Sequence, residues 1–347
     1  MPGTVRTGCC GRPTARFLPG DHPLKPCCPG QRRVAPQPSP AHPPAQPLPA
    51  PPTGPVDSVE PVSALRWHHR PKLRRPVLVA AFEGWNDAGD AASGAVLHLE
   101  EVWSATQVAE MDPEDYYDFQ VNRPEVTIDD GIRSITWPTT RISVARIPLA
   151  SRDVILVSGI EPSMRWRAFT QELIDVAREL GVEMVVTLGA LLADSPHTRP
   201  VPVSGTSSDS DISLRMGYEP STYEGPTGIV GVLQDACAQA GIPAVSLWAA
   251  VPHYVAQPPC PKATLALLAR IEDLLDVPVP LGDLPEESRA WQIGVDELAG
   301  EDDEIAAYVR QLEEAVDAAD LPEASGDAIA REFERYLRRR GADDPKA

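Results

Sequence analysis

A chain of 347 residues has room for one large domain or two small ones, and it is acidic, with 31 Lys/Arg against 50 Asp/Glu and a formal net charge of −19. Such a balance repels nucleic acid and anionic lipid and excludes both as natural partners. No apolar run nears the roughly 20 residues that cross a bilayer.

Charge and proline divide the chain in two. Residues 1–75 hold 11 Lys/Arg and 3 Asp/Glu, a net of +8, and the remainder carries −27. Of the 39 prolines, 19 lie between Pro2 and Pro76. A stretch so rich in Pro, Ala and Gln buries too little apolar surface to offset the entropy of ordering, so residues 1–75 are expected to form a disordered basic tail. Its first twenty residues lack the apolar stretch of a secretory signal. Cys9-Cys10 and Cys27-Cys28 are adjacent pairs, without the C-x-x-C spacing of a zinc site, and His68-His69 stand without further ligands. With only Cys237 and Cys260 beyond the tail, nothing suggests a disulfide framework, and a reducing cytoplasm is the expected location.

Order is expected from Pro76. The apolar run Val77-Leu78-Val79-Ala80-Ala81-Phe82 predicts a strand covered on both faces. A polar turn, Glu83 to Asp87, leads to a helix over 88–103 with Ala88, Ala92, Ala95, Leu99 and Val102 at helical spacing. Strands are predicted at 106–111, 132–137, 142–147 and 154–157. A helix through Trp166, Phe169, Leu173, Val176 and Leu180 stops at Gly181. The strand 184–188 precedes a long connection to about Gly225, with a short strand at 201–203 and a short helix near 211–216. A helix with Ile229, Val232, Leu233, Ala236 and Ala240 ends at Gly241. The strand 245–251 and a helix opening at Pro261 follow, proline being tolerated at the first helical position.

These alternations predict an α/β fold: a three-layer α/β/α sandwich with a mostly parallel sheet over residues 76–279. Residues 280–347 predict an acidic helical extension of two amphipathic helices. One has the stripe Ile305, Tyr308, Leu312, Ala315, Ala319 and the other Ile329, Phe333, Leu337.

Ligands of such folds sit at the carboxyl ends of the strands, in loops near 83–87, 158–165, 189–200 and 252–260. From these loops come the candidate pocket residues. Glu83, Trp85, Asn86 and Asp87 follow the first strand, and Glu161 and Arg165 lie in the second loop. Gathered at one edge, Glu83, Asp87 and Glu161 would bind a metal or share a proton; Asp87 alone reads better as a helix cap. His197 and Arg199 suit a phosphate or carboxylate, or else a loop whose Arg pairs with a neighbouring acid. Thr227 and Gly228, at a helix start, offer either an anion site or plain punctuation with Thr227 as cap. His253 completes the set. Asp209-Ser210-Asp211 fails as an EF-hand, which would need Gly at Leu214 and Glu at Pro220. No catalytic elbow, metalloprotease, Walker A or dinucleotide motif occurs, so no catalytic residue, metal or cofactor is assigned.

Five motifs then stand in order: Phe82-Glu83-Gly84-Trp85-Asn86-Asp87-Ala88-Gly89, Glu161-Pro162-Ser163-Met164-Arg165-Trp166, the run from Leu188 through Asp194-Ser195-Pro196-His197-Thr198-Arg199-Pro200, Tyr223-Glu224-Gly225-Pro226-Thr227-Gly228-Ile229, and Val251-Pro252-His253-Tyr254. Over roughly residues 75–340 the chain resembles the proteasome assembly chaperone family, in the branch of the second eukaryotic chaperone and the bacterial type with a helical C-terminal extension. The resemblance implies a nucleoside-phosphorylase-like sandwich and a homo-oligomer, a trimer favoured. It also implies a non-enzymatic assembly factor for proteasome core-particle subunits or related assemblies. Relatives that dock on the proteasome ring often end in a hydrophobic-Tyr-any tripeptide, whereas this chain ends Asp343-Asp344-Pro345-Lys346-Ala347, so docking by tail insertion is not expected. The alternative is a small-ligand binder or a hydrolase- or phosphorylase-like enzyme using a pocket around Glu83, Glu161, His197 and Arg199.

Overall fold

The computed structural model describes residues 64–320 apart from positions 149, 220 and 256. Most of the expected tail and the stripe Ile329, Phe333, Leu337 lie outside the described residues. Order starts before the boundary that composition set at Pro76. Leu65–Trp67 (β1) pairs antiparallel with Thr106–Met111 (β3), and the amide of Ala64 donates to Glu172.

The centre of the molecule is the apolar strand Val77–Glu83 (β2), buried throughout except at Glu83. It lies parallel to Asp153–Ile160 (β7) on one side and Met184–Ala193 (β8) on the other. Ala244–Pro252 (β10) extends the parallel block beside β8. Arg141–Arg146 (β6), β3 and β1 continue the sheet antiparallel beyond β7, and Val203–Ser207 (β9) closes the opposite edge. The eight-stranded sheet is therefore mixed, with its parallel strands in the middle, where the sequence is apolar on both faces.

Strand alternation divides the core in two. Val77, Val79 and Ala81 face a layer made by Ala91–Val102 (α1) and Pro261–Leu275 (α5). Leu78, Ala80 and Phe82 face Trp166–Leu180 (α2) and Ile229–Ala240 (α4). Gly181 and Gly241, both in left-handed geometry, end α2 and α4 as the sequence predicts. The short helix Ser210–Met216 (α3) is capped by the side chain of Asp209, which accepts from the amides of Asp211 and Ile212. That bond is the structural role of the acidic stretch that failed as a calcium loop.

Two elements depart from expectation. The predicted strand near 132 does not join the main sheet; Ile132–Thr136 (β5) pairs with Glu125–Asp129 (β4) as a separate hairpin whose ten strand residues are all exposed. The acidic extension contains a helix that its weak periodicity concealed, Leu284–Gly300 (α6), which packs Trp291, Val295 and Ala299 inward ahead of Asp303–Asp320 (α7). Among the described residues no helix is long and apolar enough to cross a membrane.

Candidate functional site

Helix α1 leaves β2 toward one face of the sheet, whereas α2 leaves β7 toward the other. Diverging connections open a crevice at the strand ends. The loop after β2 fills part of it. The amide of Ala190 donates to the carbonyl of Asn86 at 2.8 Å, which extends the pairing of β8 beyond the end of β2. Gly89 (φ 63) is required there: a Cβ would stand 2.8 Å from that of Cys260, whose amide donates to the Gly89 carbonyl.

Asp87 is buried, and its carboxylate accepts from the amides of Ala92 at 2.6 Å and Ser93 at 3.2 Å in the first turn of α1. It caps α1, the simpler of the two sequence readings. Burial pushes its acid up to about 6, against the pull of those bonds, and the nearby Asp90 adds to the rise. Glu161 does a similar job from a distant loop. Its Oε1 accepts from the Asn86 side-chain amide at 2.6 Å and from the backbone amide of Ile229 at 2.8 Å, so it tethers the β2 loop and supplies a negative group at the start of α4. Gly228 is the N-cap residue of α4; Thr227 makes no cap bond. A Cβ on Gly228 would fall 2.2 Å from Asn86 Oδ1. Glu83 is exposed and borders a separate, smaller cavity with Arg66 and Arg141. Among the described residues no group of acids, His and Cys is disposed to hold a metal.

A cavity of about 840 Å³ opens between this loop, α4 and the outer strands. Trp85 and Tyr223, each two-thirds exposed, stand at its walls with Leu191 and Leu192. Deeper in, Trp248 lies across from its strand partner Gly189, where a Cβ would come within 2.6 Å of the indole. Trp85, Asn86, Asp87, Thr227 and Gly228 all border this space, so five of the sequence candidates meet there. Trp248, Gln234, Ser246 and Asp90 border it too and were missed. Period-two alternation along β10 placed Ser246 and Trp248 on one face, but not beside an opening.

The remaining candidates lie elsewhere. Arg165 pairs with Asp115 and stacks over Tyr116. His197 is buried, with Nδ1 2.7 Å from the Tyr254 hydroxyl and Nε2 2.8 Å from Asp296 Oδ1 on α6. Arg199 forms a fork with Asp317 at 2.8 and 2.7 Å and reaches Glu313 at 3.1 Å, both on α7. That pairing raises the Arg199 guanidinium and lowers the Asp317 acid from their ordinary values. Lys262 Nζ donates to the His197 carbonyl and to Gln292, and burial lowers its ammonium. His253 contacts Asp194 at 3.3 Å and the rings of Tyr254 and Tyr308. These groups fasten the C-terminal helices to the loop after β8. The four residues Glu83, Glu161, His197 and Arg199 therefore do not form one pocket.

The sequence pattern of the PAC2 family matches residues 81–299. Solved structures superpose on the same core. A PAC2 family protein from Streptomyces avermitilis is 67% identical, with a TM-score of 0.65, covering 67% of this chain and 99% of its own. A proteasome-assembly chaperone homologue from Mycobacterium tuberculosis is 57% identical, with a TM-score of 0.63, covering 67% of this chain and 99% of its own. An archaeal proteasome activator from Pyrococcus furiosus is 16% identical, with a TM-score of 0.56 over 67% of this chain and 97% of its own, and shares the fold. No curated protein matches the sequence.

Proposed function

This chain belongs to the PAC2 family, and on that premise we propose that it is a non-enzymatic assembly factor that binds proteasome core-particle subunits or a related assembly. The observation that carries this reading is the β4–β5 hairpin. Facing residues of an antiparallel pair share a face, so Val126 and Ile128 stand beside Ile135 across the ladder, exposed to 51%, 69% and 44%. Val121, 75% exposed, lies just before the hairpin. A two-stranded hairpin in water is marginal by itself, and an apolar face left open on one marks a contact surface. Trp137, at the hairpin base, packs edge-on against Phe119 at 4.9 Å and holds it in place. The acidic body suits a partner with basic surfaces. The same reading makes the protein a cytoplasmic homo-oligomer, with a trimer the state to look for by sedimentation.

The test is binding of the purified full chain to proteasome α and β subunits from the same cell, followed by analytical ultracentrifugation and a core-particle assembly assay. A complex that accelerates assembly and is lost in the doubly substituted Val126→Asp, Ile128→Asp chain, with its thermal unfolding unchanged, is the expected result. Absence of any complex with either subunit type overturns the reading.

A further inference from the structure

The cavity beside α4 has a distinctive polar inventory. Its volume, about 840 Å³, falls in the roughly 300–1,000 Å³ range of small-molecule sites. Three glycines make room for its walls: Gly189 opposite Trp248, Gly228 against Asn86, and Gly231, where a Cβ would fall 2.1 Å from Thr227 Oγ1.

Four side-chain donors of those walls are already engaged. Trp248 Nε1 donates to Ser246 at 2.9 Å, and the Gln234 amide to Thr206 at 3.2 Å. The Tyr223 hydroxyl donates to the Pro226 carbonyl at 2.8 Å, and the Asn86 amide to Glu161. The acceptors are not matched in the same way. Asn86 is 1% exposed and its Oδ1 has no hydrogen-bond partner among the described residues. An orphaned buried acceptor of that kind is costly, and one at a cavity wall points to a donor arriving from outside. Asp90, also on the wall, is held in the left-handed region at φ 49 and makes no ion pair among the described residues. Among the described residues no Lys, Arg or His borders the space. The start of α4 does not call for an anion either, because the Glu161 carboxylate already accepts from its first amide.

We propose that this cavity binds a small cationic ligand in which an ammonium or guanidinium group is joined to a flat apolar body. The body lies against Trp85 and Trp248, and the charged N–H groups meet Asn86 Oδ1 and Asp90. Indole faces attract cations as well as apolar rings, which suits both halves of such a molecule. Anionic ligands, phosphate esters included, are repelled. This site does not depend on the hairpin or on any proteasome partner, so it stands or falls separately from the assembly reading.

The experiment is isothermal titration of the full chain with four probes: tryptamine, its neutral analogue tryptophol, its anionic counterpart indole-3-acetate, and ring-free butylamine. Tryptamine is expected to bind about tenfold or more tighter than tryptophol, the ratio set by an added charge-assisted contact of roughly 1.4 kcal/mol, with the other two weaker still. Asp90→Asn, which keeps a residue tolerant of left-handed backbone, should reduce tryptamine to the affinity of tryptophol. Trp85→Ala should weaken both. Absence of binding by tryptamine at millimolar concentration, equal binding of the acetate, or indifference to Asp90→Asn overturns the proposal. So does binding of a Lys- and Trp-bearing peptide in place of the free amine, which would transfer the site to a protein partner.

Discussion

Two regions at the carboxyl end of the sheet carry polar residues of similar kinds and use them in opposite ways. Beside α4, Glu161 and Asp87 hold the backbone in place, while around an opening Asn86 Oδ1 and the Asp90 carboxylate have no partner among the described residues. Beyond β8, each prominent group is matched: His197 with Tyr254 and Asp296, Arg199 with Glu313 and Asp317, Lys262 with Gln292. The contrast teaches that position at a strand end is not enough to assign function. A group whose valences are filled inside the chain is part of the architecture, and one left open is free to recognise something else.

The strongest way to break this division is Glu161→Ala. It removes a helix cap worth about 1 kcal/mol and strips the buried Asn86 amide of its acceptor, a further loss of about 1–3 kcal/mol. Urea unfolding should show a destabilisation of about 3 kcal/mol, with the α4 amides exchanging faster than those of α7. An equal loss of protection in both regions would mean that they are one unit.

Asp87 sharpens the comparison through pH. Its folded-state acid lies near 6, above the ordinary 3.8. Between these values the folded chain keeps a proton that the unfolded chain has released, so this group's contribution to stability falls as pH rises from 4 to 6 and stays at its lowest above 6. A shift of that size corresponds to on the order of 3 kcal/mol. Relative to Asp87→Asn, the parent chain should gain stability as pH is lowered from 7 to 4, measured by denaturant unfolding at each pH. Parallel stability curves for the two proteins would show that the carboxylate titrates normally.

On the other side, His197→Ala leaves the Tyr254 hydroxyl and the Asp296 carboxylate without the imidazole between them. A loss of about 2 kcal/mol is expected. Faster proteolysis between α6 and α7 should accompany it, while the near-ultraviolet signal of Trp248 stays unchanged. The smallest effect belongs to Trp85→Ala. A side chain two-thirds exposed should alter stability by no more than about 0.5 kcal/mol, so any change in ligand affinity there reads directly on the cavity.

The apolar runs made the centre of the fold legible. Strands β2, β7 and β10, and β8 as far as Ala190, are almost wholly buried, and only a sheet covered on both faces calls for such runs. Helix ends marked by Gly181 and Gly241 were equally plain. The hairpin was harder: Val126, Ile128 and Ile135 share one face as the apolar side of a half-buried strand would, with Ile132 on the other face, yet no core receives them. Helix α6 was hidden because Ile293 and Leu298 are exposed, which blurs its apolar stripe. At the site, the loops were identified but not their division. The acids that claim His197 and Arg199 stand about a hundred residues further on, in a segment whose negative charge reads only as a solvated surface. Asp90 and Trp248 went unnoticed for a different reason. The sequence shows neither the left-handed backbone at Asp90 nor the glycine opposite the indole as a paired feature.

The exposed hairpin has an evolutionary side. Its ladder closes on itself between Glu125 and Thr136, as a sheet separate from the eight strands that hold the core. Substitutions, and even insertions at its Asp130-Gly131 tip, therefore leave the fold's foundations untouched. A lineage can rewrite this projection to suit a new partner while the sandwich beneath it stays the same, and members of one family can diverge in whom they bind long before they diverge in shape.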